Sequence, residues 1–101
     1  MSRGIARERQ VRDHLENDGW FVIRAAGSFG AADLVAIKAG AIQLIEVKST
    51  AGGPYERFGP AARRTLSEAA RAAGASAVLA YWPSRGKLRF INEAAWPQYA
   101  A

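Results

Sequence analysis

Residues 33–49 read DLVAIKAGAIQLIEVKS, in which two apolar runs flank the dipeptide Ala39-Gly40. Strand-forming runs separated by a short glycine-containing junction predict a β-hairpin. If Ala39-Gly40 is a two-residue turn, Lys38 pairs with Ala41, and the numbers of every cross-strand pair add to the same sum. The turn therefore predicts the register of the whole hairpin.

Two carboxylates meet at the open end of this hairpin. The predicted register places Asp33 opposite Glu46, with about 5 Å between their Cβ atoms. The alternation of side chains along a strand places Lys48 on the same face, beyond an apolar stretch. That stretch consists of Val35, Ile37, Ile42 and Leu44. Opposed like charges destabilise a sheet, so Lys48 and a divalent cation are expected to compensate them.

A metal site whose protein ligands are all carboxylate oxygens suits Mg²⁺, and Mn²⁺ is expected to substitute for it. A metal beside an ammonium group predicts metal-assisted phosphodiester hydrolysis. The residues alone also allow a plain Glu46–Lys48 ion pair at a wet strand end, with Asp33 capping a turn. A three-residue loop with a bulge would move Asp33 to the other face of the sheet.

Glu8 lies on the inward stripe of a predicted helix over residues 5–18, between Ile5 and Val11. A carboxylate on a buried stripe is seldom left unpaired. We therefore expect Glu8 to point toward the acidic cluster, either as a metal ligand or as an outer-shell group that contacts a ligand. The alternative is an ion pair with Arg12, one helical turn later.

The remaining pattern predicts an α/β protein of one domain, residues 1–101, with a central mixed β-sheet of about five strands flanked by helices. The predicted order is α-β-β-β-α-β-β-α. The elements are a helix over 5–18, strands over 20–26, 33–38 and 41–49, a helix over 60–73, strands over 76–82 and 87–91, and a short helix between Asn92 and Pro97. The inward stripe of the second helix is expected to be Ala62, Leu66, Ala69, Ala70 and Ala73.

Charge points to a nucleic-acid partner. The chain has 101 residues, 14 Lys+Arg against 9 Asp+Glu, and a formal net charge of +5. Eleven of these cations are arginine, whose planar group suits bidentate contact with phosphate. The absence of cysteine excludes disulfides and thiolate sites. No apolar run is long enough for a transmembrane helix or a signal peptide, so we expect an intracellular protein with no membrane partner.

Four motifs together resemble the archaeal and bacteriophage Holliday junction resolvases, which belong to the PD-(D/E)xK nuclease superfamily. The motifs are ARERQ (6–10), GWFVIRAAGS (19–28), ADLVA (32–36) and IEVKST (45–50). The resemblance implies a restriction-endonuclease-like core and a homodimer that cuts branched DNA, the four-way junction, symmetrically with Mg²⁺. It implies no small-molecule substrate, and a source that is archaeal or bacterial, with a phage-encoded protein included.

The resemblance also implies roles for individual residues. Glu8, Asp33 and Glu46 would hold the metal together with the Val47 carbonyl, and Lys48 would assist the attacking water.

The same motifs imply contacts with DNA. Ser28 would lie near the scissile phosphate, and Arg9 and Arg24 would engage DNA. Arg7, on the same basic helix, is also expected to bind nucleic acid. The chain departs from the family pattern at Ala32, where proline is familiar.

Two other functions remain open. One is a different nuclease of the superfamily, acting on flaps or nicks or as a restriction or repair enzyme. The other is a catalytically silent DNA-binding module. Four ionisable groups predicted to converge argue against the silent module. A protein with no nucleic-acid role would show no salt-sensitive binding to DNA.

Overall fold

The computed structural model describes residues 3–25 and 32–97, with Arg3 described by its backbone alone. Its elements are α1 (Arg3–Asn17), β1 (Phe21–Arg24), β2 (Leu34–Lys38), β3 (Ala41–Thr50), α2 (Pro60–Ala73), β4 (Ser76–Pro83), β5 (Arg89–Asn92) and a 3₁₀ turn (Glu93–Ala95). The predicted order of two helices and five strands is confirmed as far as β5.

The short helix expected after Asn92 is a single 3₁₀ turn. Asn92 caps it as expected, because its side chain accepts a hydrogen bond from the Ala94 N–H at 3.0 Å. Trp96 leaves the turn with an extended backbone, φ −73° and ψ 154°. A residue that precedes proline is sterically pushed out of the helical region, so Pro97 stops the helix one residue early.

The five strands form one mixed sheet in the order β1-β2-β3-β4-β5. Neighbouring strands are antiparallel except β3 and β4, which are parallel. A parallel pair needs a crossover connection, and α2 supplies it. The expected α/β architecture with a mixed sheet is therefore confirmed, and β3 lies at its centre.

The hairpin between β2 and β3 has the predicted two-residue turn. Ala39 and Gly40 both adopt positive φ, 51° and 85°. This is the left-handed turn that matches the twist of two strands. Lys38 pairs with Ala41, and the register continues regularly from there to Leu34 opposite Ile45. Alanine pays a steric cost in this region, which explains why the dipeptide is a weak signal in the sequence.

The register departs from the prediction at Asp33. The regular ladder ends at Leu34 opposite Ile45, so Asp33 is not a direct partner of Glu46. Instead, the Asp33 N–H donates to the Ile45 carbonyl at 2.9 Å, and the Asp33 carbonyl accepts from the Ala25 N–H at 2.9 Å. Asp33, just before β2, and Leu34 thus both face Ile45 of β3, which is the arrangement of a β-bulge and redirects the side chain at that point.

Apolar side chains fill both faces of the sheet. The face under α1 buries Val11, Leu15, Leu34, Ala36, Ile45, Val78 and Ala80. The face under α2 buries Phe58, Leu66, Ala70, Ala77, Leu79, Tyr81, Ile91 and Trp96. Within the described ranges, neither helix is long and apolar enough to cross a membrane.

The buried stripe of α2 differs from the prediction. Leu66 and Ala70 are buried as expected, but Ala62 and Ala73 are exposed, and Arg63 is buried instead. The Arg63 guanidinium donates from Nη1 to the Phe58 carbonyl at 2.6 Å. A long aliphatic stem lets an arginine cover apolar surface, which a binary hydrophobic pattern does not anticipate.

Candidate active site

Asp33 lies at the centre of the predicted site, and its carboxylate is aimed at β3. Its Oδ2 accepts a hydrogen bond from the Val47 N–H at 2.8 Å. The bulge at the start of β2 turns the side chain across the strand end. Asp33 therefore does not cap a turn, and its orientation is set by the backbone of the strand that carries the other predicted residues.

Glu46 and Lys48 lie two residues apart on β3 and form an ion pair, with Lys48 Nζ 3.2 Å from Glu46 Oε2. The Glu46 side chain is only 17% exposed and that of Lys48 27% exposed. Both project on the side of the sheet that carries α2, as Leu44 does. The pair is therefore half-buried, rather than the wet pair that one interpretation of the sequence proposed.

Glu8 reaches the same end of the sheet from α1. Its Oε1 lies 3.2 Å from Arg24 Nε in a half-buried ion pair and hydrogen bond. Arg12 instead pairs with Asp13 at 3.0 Å. The Arg12 partner considered for Glu8 is therefore wrong, and the anion that a half-buried Arg24 requires is Glu8.

The three carboxyl groups interact electrostatically. Burial, and after it the negative charges of Asp33 and Glu8, raise the pKa of Glu46 to about 7, against the opposing effect of Lys48. Burial and the charge of Asp33 also raise the pKa of Glu8, against the effect of Arg24. The pKa of Asp33 itself is raised by burial, against the Val47 N–H and Lys48. Asp33 thus lies near enough to both glutamates for its charge to repel each of them.

The donor set suits a hard divalent cation. Each candidate ligand is an oxygen, and magnesium and manganese prefer oxygen ligands. In the described part of the chain, no three acidic or histidine side chains already form a cation site. The glutamates face their basic partners, Arg24 and Lys48, instead. Three mutually repelling, half-buried carboxyl groups nevertheless fit a cation, because a central positive charge would relieve the repulsion that raises the pKa of Glu8 and Glu46.

The backbone of Val47 is directed toward Asp33. In a strand, the N–H and the carbonyl of one residue point to the same side. Because the Val47 N–H is directed at Asp33, its carbonyl oxygen is directed to that edge as well. The Val47 main-chain oxygen therefore points toward the side on which Asp33 lies, and its role as a metal ligand stays a prediction.

Three predicted DNA-binding residues lie on or beside α1, and one lies outside the described residues. Arg7 places its guanidinium 4.5 Å from the centre of the Trp82 ring, and Arg9 is exposed. Arg24 is engaged by Glu8, as described above. Ser28 falls outside the described ranges, so its predicted position stays a prediction.

Sequence reasoning missed one arginine near this site. Arg57 lies in the loop after β3 and lines a cleft together with Arg7 and Lys48. Loop residues carry no periodicity, so only the path of the chain between β3 and α2 brings Arg57 to the site.

Comparison with known proteins gives a consistent result. The family model described as archaeal Holliday junction resolvase matches residues 1–98. The fold resembles the 1.6 Å structure of the Holliday junction resolvase from the archaeal hyperthermophile Archaeoglobus fulgidus, with a TM-score of 0.77 and 30% sequence identity. The similarity covers 92% of this chain and 75% of the Archaeoglobus chain. No curated protein matches the sequence significantly.

The match extends across nearly the whole chain and includes each motif that carries a candidate site residue. The structural similarity likewise spans most of both chains. The chain therefore belongs to the archaeal Holliday junction resolvase family, and it is a nuclease that resolves Holliday junctions.

Proposed function

We propose that this resolvase hydrolyses DNA strands with Mg²⁺ at the cluster formed by Glu8, Asp33, Glu46 and Lys48. The observation that carries the proposal is the position of Asp33, whose charge raises the pKa of a glutamate on α1 and of another on β3. A nuclease needs concentrated negative charge to hold a cation against a phosphate that is itself negative. No other group of described residues combines these features with a neighbouring lysine.

Glu8, Asp33, Glu46 and the Val47 carbonyl would hold the cation, with Mn²⁺ as a substitute for Mg²⁺. When bound, such an ion supplies charge for a phosphoryl oxygen and makes a coordinated water more acidic. The half-buried setting of these ligands strengthens electrostatic interactions inside the site.

The residues of the chain then orient the reacting groups and neutralise charge on the phosphate. Asp33 is held in place by the Val47 N–H, so its direction does not depend on a mobile partner. Lys48 lies beside the carboxylates and brings a positive charge to the side of the sheet that carries α2. An ammonium there can orient the attacking water and stabilise the charge that develops on the phosphate. Ser28 is proposed to lie near the scissile phosphate.

Arg7, Arg9 and Arg24 are proposed to contact the DNA backbone. Arginines along α1 and at the end of β1 lie around the carboxylate cluster, where phosphates would arrive. Contacts to the phosphate backbone recognise DNA shape rather than sequence and weaken steeply with salt. We place the protein inside the cell, because its substrate is cellular or phage DNA.

The enzyme is proposed to act as a homodimer that makes paired symmetric nicks. A four-way junction has two-fold symmetry, which a C2 dimer matches. Each chain carries one cluster, which would cut one strand. An apolar sheet face supports the proposal. Phe21 is 65% exposed and Ile23 48% exposed. They lie beside half-buried Val35 and Ile37 on the face that carries α2, and α2 packs chiefly over β3 and β4.

Four other aromatic side chains, those of Tyr55, Phe58, Trp82 and Trp96, do not form part of this surface. Phe58 and Trp96 are buried in the core and contact each other edge to face, with ring centres 5.0 Å apart. Tyr55 and Trp82 are half-buried against the two cores. We therefore propose the Phe21–Ile23 face as the surface that a second copy covers.

The test is cleavage of three labelled substrates, a four-way junction, a flap and a linear duplex, in Mg²⁺ and in EDTA. We expect paired symmetric nicks in the junction, in Mg²⁺ only. Equal cutting of flap and junction would favour a broader repair nuclease, and binding without cutting would favour a silent module. Either result would overturn the proposal.

A further inference from the structure

A cleft of about 540 Å³ lies beside the carboxylate cluster, between the first turns of α1 and the loop that follows β3. Lys48 forms part of its wall, so the cleft shares this residue with the proposed catalytic site. Its lining also includes Gly4, Arg7, Ser49, Glu56 and Arg57.

The cleft is positively charged. Arg7, Lys48 and Arg57 line it against a single carboxylate, that of Glu56. That carboxylate accepts a hydrogen bond from the Gly52 N–H at 3.3 Å, which ties it to its own loop. The exposed Ser49 adds a hydroxyl group at the β3 wall. Arginine and hydroxyl donors around an open groove are typical of contacts with a phosphate backbone.

Arg7 is held in place before any ligand arrives. Its guanidinium lies 4.5 Å from the centre of the Trp82 ring and donates from Nη1 to Gln10 Oε1 at 3.1 Å. Stacking on an aromatic face leaves the other N–H groups of the fork free to bind an anion. Gly4, one turn earlier, carries no side chain and so leaves this wall of the cleft open.

Arg57 is presented by a loop that is fixed at both ends. Thr50 Oγ1 donates to the Gly53 carbonyl at 2.5 Å, and Phe58, the next residue after Arg57, is buried in the core. A Cβ at Gly52 would lie against the Glu56 carboxylate, so glycine leaves room for that side chain to reach the Gly52 N–H. Arg57 itself is exposed and makes no ion pair within the described part of the chain.

We propose that this cleft binds the DNA backbone phosphate that neighbours the scissile one, with Arg57 as a ligand opposite Arg7. The inference rests on the proposed function, because Lys48 belongs both to the cleft and to the catalytic cluster. A strand that placed one phosphate at Lys48 would run along the cleft between the two arginines. Arg57 therefore positions the strand without acting on the reacting atoms.

The experiment measures binding of a fluorescein-labelled four-way junction by anisotropy in EDTA, over a range of salt concentrations. For Arg57→Ala, we expect junction affinity to fall about tenfold. We also expect the slope of log affinity against log salt to decrease by about one. Arg57→Lys should keep the salt slope and recover part of the affinity, since the charge remains without the planar fork.

Arg71→Ala is the matched control. Arg71 is an exposed arginine in the last turn of α2, at the opposite end of that helix from the loop. It should leave affinity and salt slope at the parent values. Parent-like binding by Arg57→Ala, or an equal loss in both variants, would overturn the assignment. Unchanged thermal unfolding of Arg57→Ala would show that any loss of binding is not a loss of fold.

Two further measurements separate the possible failures. If the parent cuts no junction but Arg57→Ala still loses binding, the proposed cleavage function fails and the phosphate cleft stands. Inorganic phosphate is the probe for a small-anion site. Saturable phosphate binding that depends on Arg57, with junction affinity unchanged in Arg57→Ala, would overturn the assignment to DNA.

Discussion

The Asp33 carboxylate accepts a hydrogen bond from the Val47 N–H at 2.8 Å, across the end of the β2–β3 hairpin. This contact holds a charge that acts on both Glu8 and Glu46, although Asp33 is not the ladder partner of either. A bulge, rather than direct pairing, therefore assembles the carboxylate cluster.

Asp33→Asn should abolish junction cleavage and leave folding intact. The amide oxygen can still accept from the Val47 N–H, but it brings no charge for a cation. We expect the single-turnover rate in Mg²⁺ to fall at least about 10²-fold, with junction affinity in EDTA close to that of the parent. Asp13→Asn, at an exposed residue of α1, is the control and should cut normally. Parent-like cutting by Asp33→Asn would remove Asp33 from the site.

Lys48→Ala should also stop cleavage, for a different reason. The ammonium would no longer neutralise charge on the phosphate, so the loss should appear in the rate at saturating protein and far less in affinity. Lys38→Ala, at the far end of the same hairpin, is the matched control. A Lys48→Ala variant that cuts at the parent rate would contradict the role given to this residue.

Stability in EDTA should carry a pH dependence that comes from Glu46. Its pKa is raised from 4.5 to about 7, so between these values the folded chain binds a proton that the unfolded chain has released. The free energy of unfolding therefore decreases with pH in this range. The contribution of Glu46 to stability falls as pH rises from about 4.5 to about 7. The loss is on the order of 3 kcal/mol at most.

Urea unfolding at pH 5 and pH 8 measures this effect. Glu46→Gln should reduce the difference in unfolding free energy between pH 5 and pH 8 relative to the parent. Glu68→Gln, at an exposed glutamate of α2, should leave that difference unchanged. Mg²⁺ should stabilise the parent at pH 8 much more than at pH 5, because only the ionised cluster binds the cation. An identical pH slope in parent and Glu46→Gln would show that Glu46 has an ordinary pKa.

Arg24→Ala should weaken junction binding about tenfold at physiological salt. Arg24 has two possible tasks, since it also pairs with Glu8. The double variant Glu8→Gln, Arg24→Ala distinguishes them: if Arg24 contacts DNA, the double variant still binds weakly. Arg89→Ala, on the opposite edge of the sheet, is the control. Parent affinity in Arg24→Ala would show that the guanidinium serves Glu8 alone.

Ile23→Glu should convert the proposed dimer into a monomer. A charge placed within an apolar surface that a second copy covers carries a desolvation cost. Light scattering after gel filtration measures the mass. Phe90→Glu, at an apolar residue of β5 that is 38% exposed, should remain dimeric. A parent that is already monomeric, or an Ile23→Glu variant that stays dimeric, would exclude this face.

Several features followed from local rules. The hairpin register follows from the Ala39-Gly40 turn, because a two-residue connection leaves only one pairing for apolar strands. The chemical composition of the site also follows from the sequence, since Glu46 and Lys48 share a face by strand alternation. The predicted sheet of five strands rests on the same short-range patterns.

The partners of each charged group depend on contacts between distant segments. Arg24 lies sixteen residues from Glu8, and nothing in their spacing relates β1 to α1. The direction of Asp33 depends on a bulge, and the approach of Arg57 depends on the path of a loop; neither has a periodic signature. Short-range sequence patterns are therefore enough to identify the charged groups and the local elements that hold them. Which of these charges meet follows from long-range packing, because it depends on how helices and loops lie against the sheet.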